Sequence, residues 1–187
     1  MERIAEFEKV SFEVFYSAMK DMGREMCGEE VYRQIMDNEE VFKKRVLDVY
    51  DHIILPTRST RGSAGYDIHS PVDFELPPHT TVKIPTGIRV RIDDGWFLGC
   101  FPRSGLGFKY RLQLNNTIGV VDSDYYNSDN EGHIFLKMTN DTYDKKTLTV
   151  ECNDRIAQGI FMPYGITLSD SADGVRNGGM GSTDEAQ

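Results

Sequence analysis

Hydrophobic spacing changes character once along this chain. Up to Leu55 the apolar residues recur at helical intervals and proline is absent. Ser11 stands before Phe12-Glu13-Val14-Phe15, with an acid in the first turn, which is the pattern of a capped helix start. Phe15, Met19 and Met22 continue the helical face, and Gly23 and Gly28 bracket a break. Val31, Ile35, Val41, Phe42 and Val46 then fit one or two further helices, with Asp37-Asn38 as a new cap. Residues Ile4 to Val10 read either as an edge strand or as the first helical turns. After Pro56 the period drops to two and turn residues multiply. Short strands are predicted at Ala64–Ser70, Thr81–Ile84, Gly87–Ile92, Trp96–Phe101, Gln113–Asn115, Gly119–Val121, Gly132–Asn140, Thr147–Val150 and Ala157–Pro163. Many short strands at about ten-residue spacing predict a mainly β, jelly-roll-like barrel carrying an N-terminal helical segment. The expected division is 1–54 mostly helical, 55–168 barrel, and 169–187 a flexible, Gly/Ser/Asp-rich arm that orders over a ligand or not at all.

Composition narrows the function. The chain has 187 residues and a net charge of −9, with 39% hydrophobic and 27% charged residues. That suits a globular protein and argues against nucleic acid as a partner, which demands a basic face. No apolar run approaches the roughly 20 residues of a membrane span, so no membrane partner is expected. The acidic start, Met1-Glu2-Arg3-Ile4-Ala5-Glu6, is unlike a signal peptide, and a cytoplasmic protein is expected. Cys27, Cys100 and Cys152 show no metal spacing and read as reduced structural thiols, and His52, His69, His79 and His133 show no ligand pairing.

Phosphate chemistry is suggested by three segments. Arg176-Asn177-Gly178-Gly179-Met180-Gly181-Ser182-Thr183 is a glycine- and hydroxyl-rich strip headed by an arginine, and Pro102-Arg103-Ser104-Gly105-Leu106-Gly107 is a second such segment. Asp122-Ser123-Asp124-Tyr125 adds acids and an aromatic ring. Together with Ala64-Gly65-Tyr66-Asp67-Ile68, Asn116-Thr117-Ile118-Gly119-Val120-Val121 before Asp122, and Asp154-Arg155-Ile156-Ala157-Gln158, these segments resemble in order and spacing the motifs of the homotrimeric dUTPases. The resemblance runs from Leu55 to Thr183 and implies the dUTPase β-clip barrel. It implies hydrolysis of dUTP to dUMP and pyrophosphate, with Asp122 orienting the water that attacks the α-phosphorus. Arg103, Ser104 and Gly105 would bind the α- and β-phosphates, Gln158 would support the chain of phosphates, and Arg176, Ser182 and Thr183 would close over the γ-phosphate beside Gly181. Tyr125 would pack on the deoxyribose and exclude a 2′-hydroxyl. Gly119 and Val121 belong to the substrate-binding hairpin, whose backbone reads uracil with Asn116 beside the base. Mg²⁺ would arrive on the triphosphate, with Asp67 holding its waters. A homotrimer is implied, each site drawing on three subunits.

Several features depart from that pattern. Met180 stands where the family usually has a phenylalanine over the base. The hairpin after Tyr125 is lengthened by Tyr126-Asn127-Ser128-Asp129-Asn130. About fifty N-terminal residues have no counterpart in the minimal enzyme. Two alternatives follow. Glu131-Gly132-His133-Ile134 resembles the segment carrying the proton-shuttling glutamate of dCTP deaminases, including bifunctional ones. The N-terminal helices, finally, offer a protein partner a surface on a dUTPase-fold regulator.

Overall fold

The computed structural model describes residues 2–174 together with Arg176 and Gly178. The first segment settles as a strand, β1 (Ala5–Lys9), because its backbone finds a partner in β5 (Ile88–Ile92), with Ala5 opposite Ile92 and Lys9 opposite Ile88. Helix α1 (Phe12–Met36) starts at Ser11, whose Oγ accepts from the Val14 amide at 3.3 Å. It kinks at Gly28 (φ 76°), and α2 (Glu39–Asp51) follows a tight turn at Asp37-Asn38.

The remaining strands form small antiparallel sheets. In order they are β2 (Tyr66–His69), β3 (Phe74–Leu76), β4 (Thr81–Pro85), β5, β6 (Trp96–Pro102), β7 (Leu112–Leu114), β8 (Gly119–Val121), β9 (Phe135–Asn140), β10 (Leu148–Val150) and β11 (Arg155–Pro163). One sheet runs β2-β11-β6-β8, another β4-β9-β7, and β3 pairs with β10. Their inward residues, among them Ile84, Leu98, Leu136, Met138 and Ile156, are fully buried. Helix α3 (Ser104–Tyr110) and strand β3 are additions to the elements expected from the sequence, and the strand expected from Gly132 begins only at Phe135.

The N-terminal segment shares the barrel's core. Val10, Phe15, Met22 and Val46 belong to the same buried cluster as the barrel strands. Fully burying a residue such as Phe15 stabilises by roughly 1.5–3 kcal/mol. The contact is closest at Gly87 (φ 71°), where an added Cβ would run into Ile53 and the Phe15 ring. Glycine is required there on both counts. By contrast Met26, Val31, Ile35, Val41 and Leu47, farther along the helices, remain exposed.

Candidate active site

Strand β8 organises the first half of the site. Before it, Asn116 and Thr117 form a tight turn, with Thr117 left-handed (φ 64°) and the Ile118 amide donating to the Asn116 carbonyl at 2.6 Å. Beside this turn lies a cleft of 480 Å³ bordered by Cys100, Leu114, Asn116, Gly119, Phe135 and Lys83. Its walls are mostly apolar with a few convergent polar groups, as a planar base needs. Gly119 has no side chain to intrude; a Cβ there would press on Cys100 at 3.2 Å.

Asp122 follows Val121 at the end of β8, roughly 10 Å along the strand from Gly119. The strand stops there, and Ser123–Asn127 wind into a 3-10 turn, so Asp124 is carried by a turn and not by a continued strand. Both acids nonetheless face one guanidinium. Arg176 Nη1 lies 2.8 Å from Asp122 Oδ2 and 3.4 Å from Asp124 Oδ1, and the same group covers the Tyr125 ring at 5.0 Å. Asp122 keeps half of its side chain exposed. Tyr125 is buried, its hydroxyl donating to the His133 carbonyl at 2.7 Å.

The second half gathers at the other end of β6. Asp67 on β2 is opposite Gln158 on β11, which in turn is opposite Phe101 on β6. Asp67 accepts from Ser59 Oγ at 2.8 Å and from Arg155 at 3.2 Å, and Arg103 stands 3.4 Å away. Burial alone would raise the Asp67 pKa, but the Ser59 and Arg155 hydrogen bonds and the Arg103 charge outweigh it and hold it below the ordinary value. Arg155 thus forms an ion pair between β11 and β2. Gln158 reaches the Pro102 carbonyl at 3.4 Å, just before Arg103, and a cleft of 380 Å³ opens beside Arg103, Gly105 and Arg155. Ser104 and Gly105 open α3, next to Arg103. Ser59 was not foreseen, because nothing in its local sequence marks it as a partner of Asp67.

Within one chain these two halves do not meet. Cys100 is opposite Gly119 and Leu98 opposite Val121, so Asp122 lies beside the start of β6 while Arg103 follows its end. Six residues of strand separate them by roughly 20 Å. Of the C-terminal strip, Arg176 is described; Met180, Gly181, Ser182 and Thr183 lie outside the described residues. Among the described residues no three His, Cys, Asp or Glu side chains gather as a metal cage. No helix among them is long and apolar enough to cross a membrane.

Most of this chain matches known proteins. The dUTPase family model matches residues 51–183, leaving the N-terminal helices outside. The deoxyuridine 5′-triphosphate nucleotidohydrolase of Lactococcus lactis subsp. lactis is 40% identical over 134 residues, covering 70% of this chain and 88% of its own. That of Dictyoglomus turgidum is 35% identical over 138 residues, covering 69% and 89%. Among solved structures, the Streptococcus mutans dUTPase superposes with a TM-score of 0.56 at 39% identity, over 63% of this chain and 91% of that one. A mutant dUTPase from phage phi11 of S. aureus, described with a coordinated structural Mg(II) ion, has a TM-score of 0.53 at 21% identity, over 65% and 90%, and bears on the fold alone. With the barrel, the hairpin cleft and the acid at the end of β8 all falling within the matched residues, the chain belongs to the dUTPase family.

Proposed function

We propose that this protein is a dUTP diphosphatase, hydrolysing dUTP to dUMP and pyrophosphate. One observation carries the reading: Asp122, half exposed, stands a nucleoside's length from the hairpin cleft at Asn116 and Gly119. Uracil in that cleft directs the α-phosphate toward Asp122. The Asp122 carboxylate orients a water and takes its proton as the water oxygen bonds the α-phosphorus. The bond from that phosphorus to the bridging oxygen breaks, and pyrophosphate leaves. This work is mostly positioning and charge stabilisation, which enzymes of phosphoryl transfer share. Arg103, with Ser104 and Gly105, neutralises and holds the leaving phosphates, and Gln158 steadies the backbone before Arg103. The Tyr125 ring excludes a 2′-hydroxyl by shape. Arg176 heads the C-terminal strip, whose Ser182 and Thr183 hydroxyls would join it as donors to the γ-phosphate.

Mg²⁺ fits as an ion carried by the triphosphate, not a resident one. Asp67 stays ionised and its oxygens can accept from metal-bound waters, while its neighbours, Ser59, Arg103 and Arg155, are a hydroxyl and two cations and add no second carboxylate to a cage. An ion held there would supply charge neutralisation to the phosphate oxygens.

The roughly 20 Å between Asp122 and Arg103 supports a composite site. An arginine that far from the attacked phosphorus serves the site of another subunit; the resemblance to the homotrimeric dUTPases makes that assembly a homotrimer, with acid and phosphate clamp from different chains. The chemistry belongs where nucleotide pools are, in the cytoplasm, and the free cysteines suit a reducing compartment. The deaminase alternative is not favoured. Glu131 Oε2 accepts from the Ser11 amide at 2.7 Å, so the glutamate of that reading holds the start of α1. Pyrophosphate release measured across dUTP, dTTP, dCTP and UTP tests the function: release confined to dUTP is expected, and ammonia from dCTP would overturn it.

A further inference from the structure

The lengthened hairpin, Tyr126–Asn130, builds a cage around Tyr125. Asn130 Nδ2 donates to the Tyr125 hydroxyl at 2.8 Å, while that hydroxyl donates to the His133 carbonyl at 2.7 Å. The orientation of the Asn130 amide is fixed by its other end. Its Oδ1 accepts from the Gly132 N–H at 3.2 Å and lies 2.7 Å from Ser128 Oγ, and a backbone N–H can only donate. The Ser128 hydroxyl also lies 2.7 Å from the Tyr125 carbonyl, within reach as a donor. The loop closes on the backbone of Tyr125 and Tyr126 through Gly132 (φ 70°), where an added Cβ would stand 2.8 Å from Tyr126 Cα and 2.9 Å from the Tyr125 carbonyl oxygen. The next residue is tied outward. Tyr126 donates to Glu8 Oε2 on β1 at 2.8 Å, and Arg89 covers its ring at 4.2 Å. Both the phenol and the backbone of Tyr125 are therefore gripped by residues of the added loop, and the loop is anchored to the N-terminal strand.

We propose that Asn130 is a positioning residue for sugar discrimination: through the Tyr125 hydroxyl it fixes the ring against which a 2′-hydroxyl collides. The proposal rests on the role given above to Tyr125. A ring that excludes by shape must hold its place to within a fraction of an ångström, because the group it rejects is a single oxygen. A phenol held by one acceptor alone can pivot; two bonds and a gripped backbone stop it. Asn130 itself touches no substrate.

The test compares the full-length wild type, Tyr125→Ala, Tyr125→Phe, Asn130→Ala, Asn130→Asp and the Tyr125→Phe/Asn130→Ala double variant, with kcat/KM for dUTP and UTP and the melting temperature of each. Asn130→Ala is expected to lower the dUTP/UTP ratio about tenfold, and Asn130→Asp to lower it too, since aspartate keeps the acceptor for Ser128 and Gly132 but cannot donate, so the single Tyr125 O–H must choose between it and the His133 carbonyl and one of the two bonds is lost. In the Tyr125→Phe background the Asn130→Ala change should move the ratio less than about twofold, the signature of coupling through the hydroxyl. A lower melting temperature with an unchanged ratio would make Asn130 merely structural and overturn the proposal. An undiminished effect in the Tyr125→Phe background would overturn it too. If Asn130→Ala does not fold, Asn130→Asp decides. A wild type inactive on dUTP would refute the proposed function instead, and an unchanged ratio in Tyr125→Ala would remove the role of the ring itself.

Discussion

Replacing Asp122 by asparagine separates chemistry from folding. The substitution keeps the shape of the side chain and removes the carboxylate proposed to take the proton. Loss of such a group typically costs 10²–10⁴-fold in rate, about 3–5 kcal/mol of transition-state stabilisation. The folded chain loses much less. Asp122 is half exposed, and Arg176, its partner at 2.8 Å, retains Asp124 at 3.4 Å. Ion pairs with such exposure contribute about 0–1 kcal/mol. For a chain of this size 1 kcal/mol shifts the melting temperature by roughly 2–4 °C. Continuous measurement of pyrophosphate release should therefore show kcat and kcat/KM for dUTP falling together by at least 100-fold, with KM little changed. Thermal melts should move by less than about 4 °C. Asp124→Asn, which meets the same arginine from the 3-10 turn, should lose less than about tenfold in rate, well short of the loss expected for a proton acceptor. Near wild-type kcat in Asp122→Asn would refute the assignment, and a large loss confined to Asp124→Asn would move the base two residues along.

Deleting residues 176–187 should abolish most turnover, since Arg176 and the Gly-Ser-Thr donors leave together; full activity in steady-state assays would reduce the strip to an ordinary terminus. Gly87→Ala should destabilise by roughly 1–3 kcal/mol in urea melts, because a Cβ at φ 71° collides with Ile53 and Phe15; an unchanged midpoint would mean the helices sit less tightly than described. His133 is fully buried, and burial, with the Lys83 charge, pushes its pKa down from 6.5 to about 3 while its Nε2 accepts from the Gly87 amide at 2.9 Å. The unfolded chain thus binds a proton below pH 6.5 that the folded chain refuses, so stability falls with pH between 6.5 and 3 by up to about 1.4 kcal/mol per unit. His133→Gln, which keeps an acceptor, should flatten that slope in urea melts between pH 6 and 4.5, and an identical slope would place the titration elsewhere.

Strands whose inward residues alternate regularly were legible in the sequence: Ile88, Val90 and Ile92 are buried on one face of β5 as period two requires. The Ser11 cap was legible because its partner, Val14, is three residues away. Elements held by distant partners were not. Residues 4–10 are equally apolar as strand or helix, and only pairing with β5, some eighty residues on, decides between them. β3 has three residues between prolines and exists because β10 lies beside it. α3 contains Gly105 and Gly107, which local propensity reads as a turn. It is held by its ends, with the Gly107 amide on the Arg103 carbonyl and a left-handed Arg111 closing it.

The candidate site divides the same way. The order of its motifs along the chain was legible, because each is a short run of reactive or glycine residues. Their association in space was not, since Asp67 meets Arg155 across 88 positions and Tyr126 meets Glu8 across 118. That second link changes the meaning of the N-terminal segment. Read alone, β1 and α1 are an appendage that the barrel could do without. In the structure Glu8 holds Tyr126, the amide before α1 holds Glu131, and these residues flank the turn that carries Asp124 and Tyr125. Two hydrogen bonds thus tie the N-terminal segment to the residues on either side of the loop that holds the proposed sugar-facing ring.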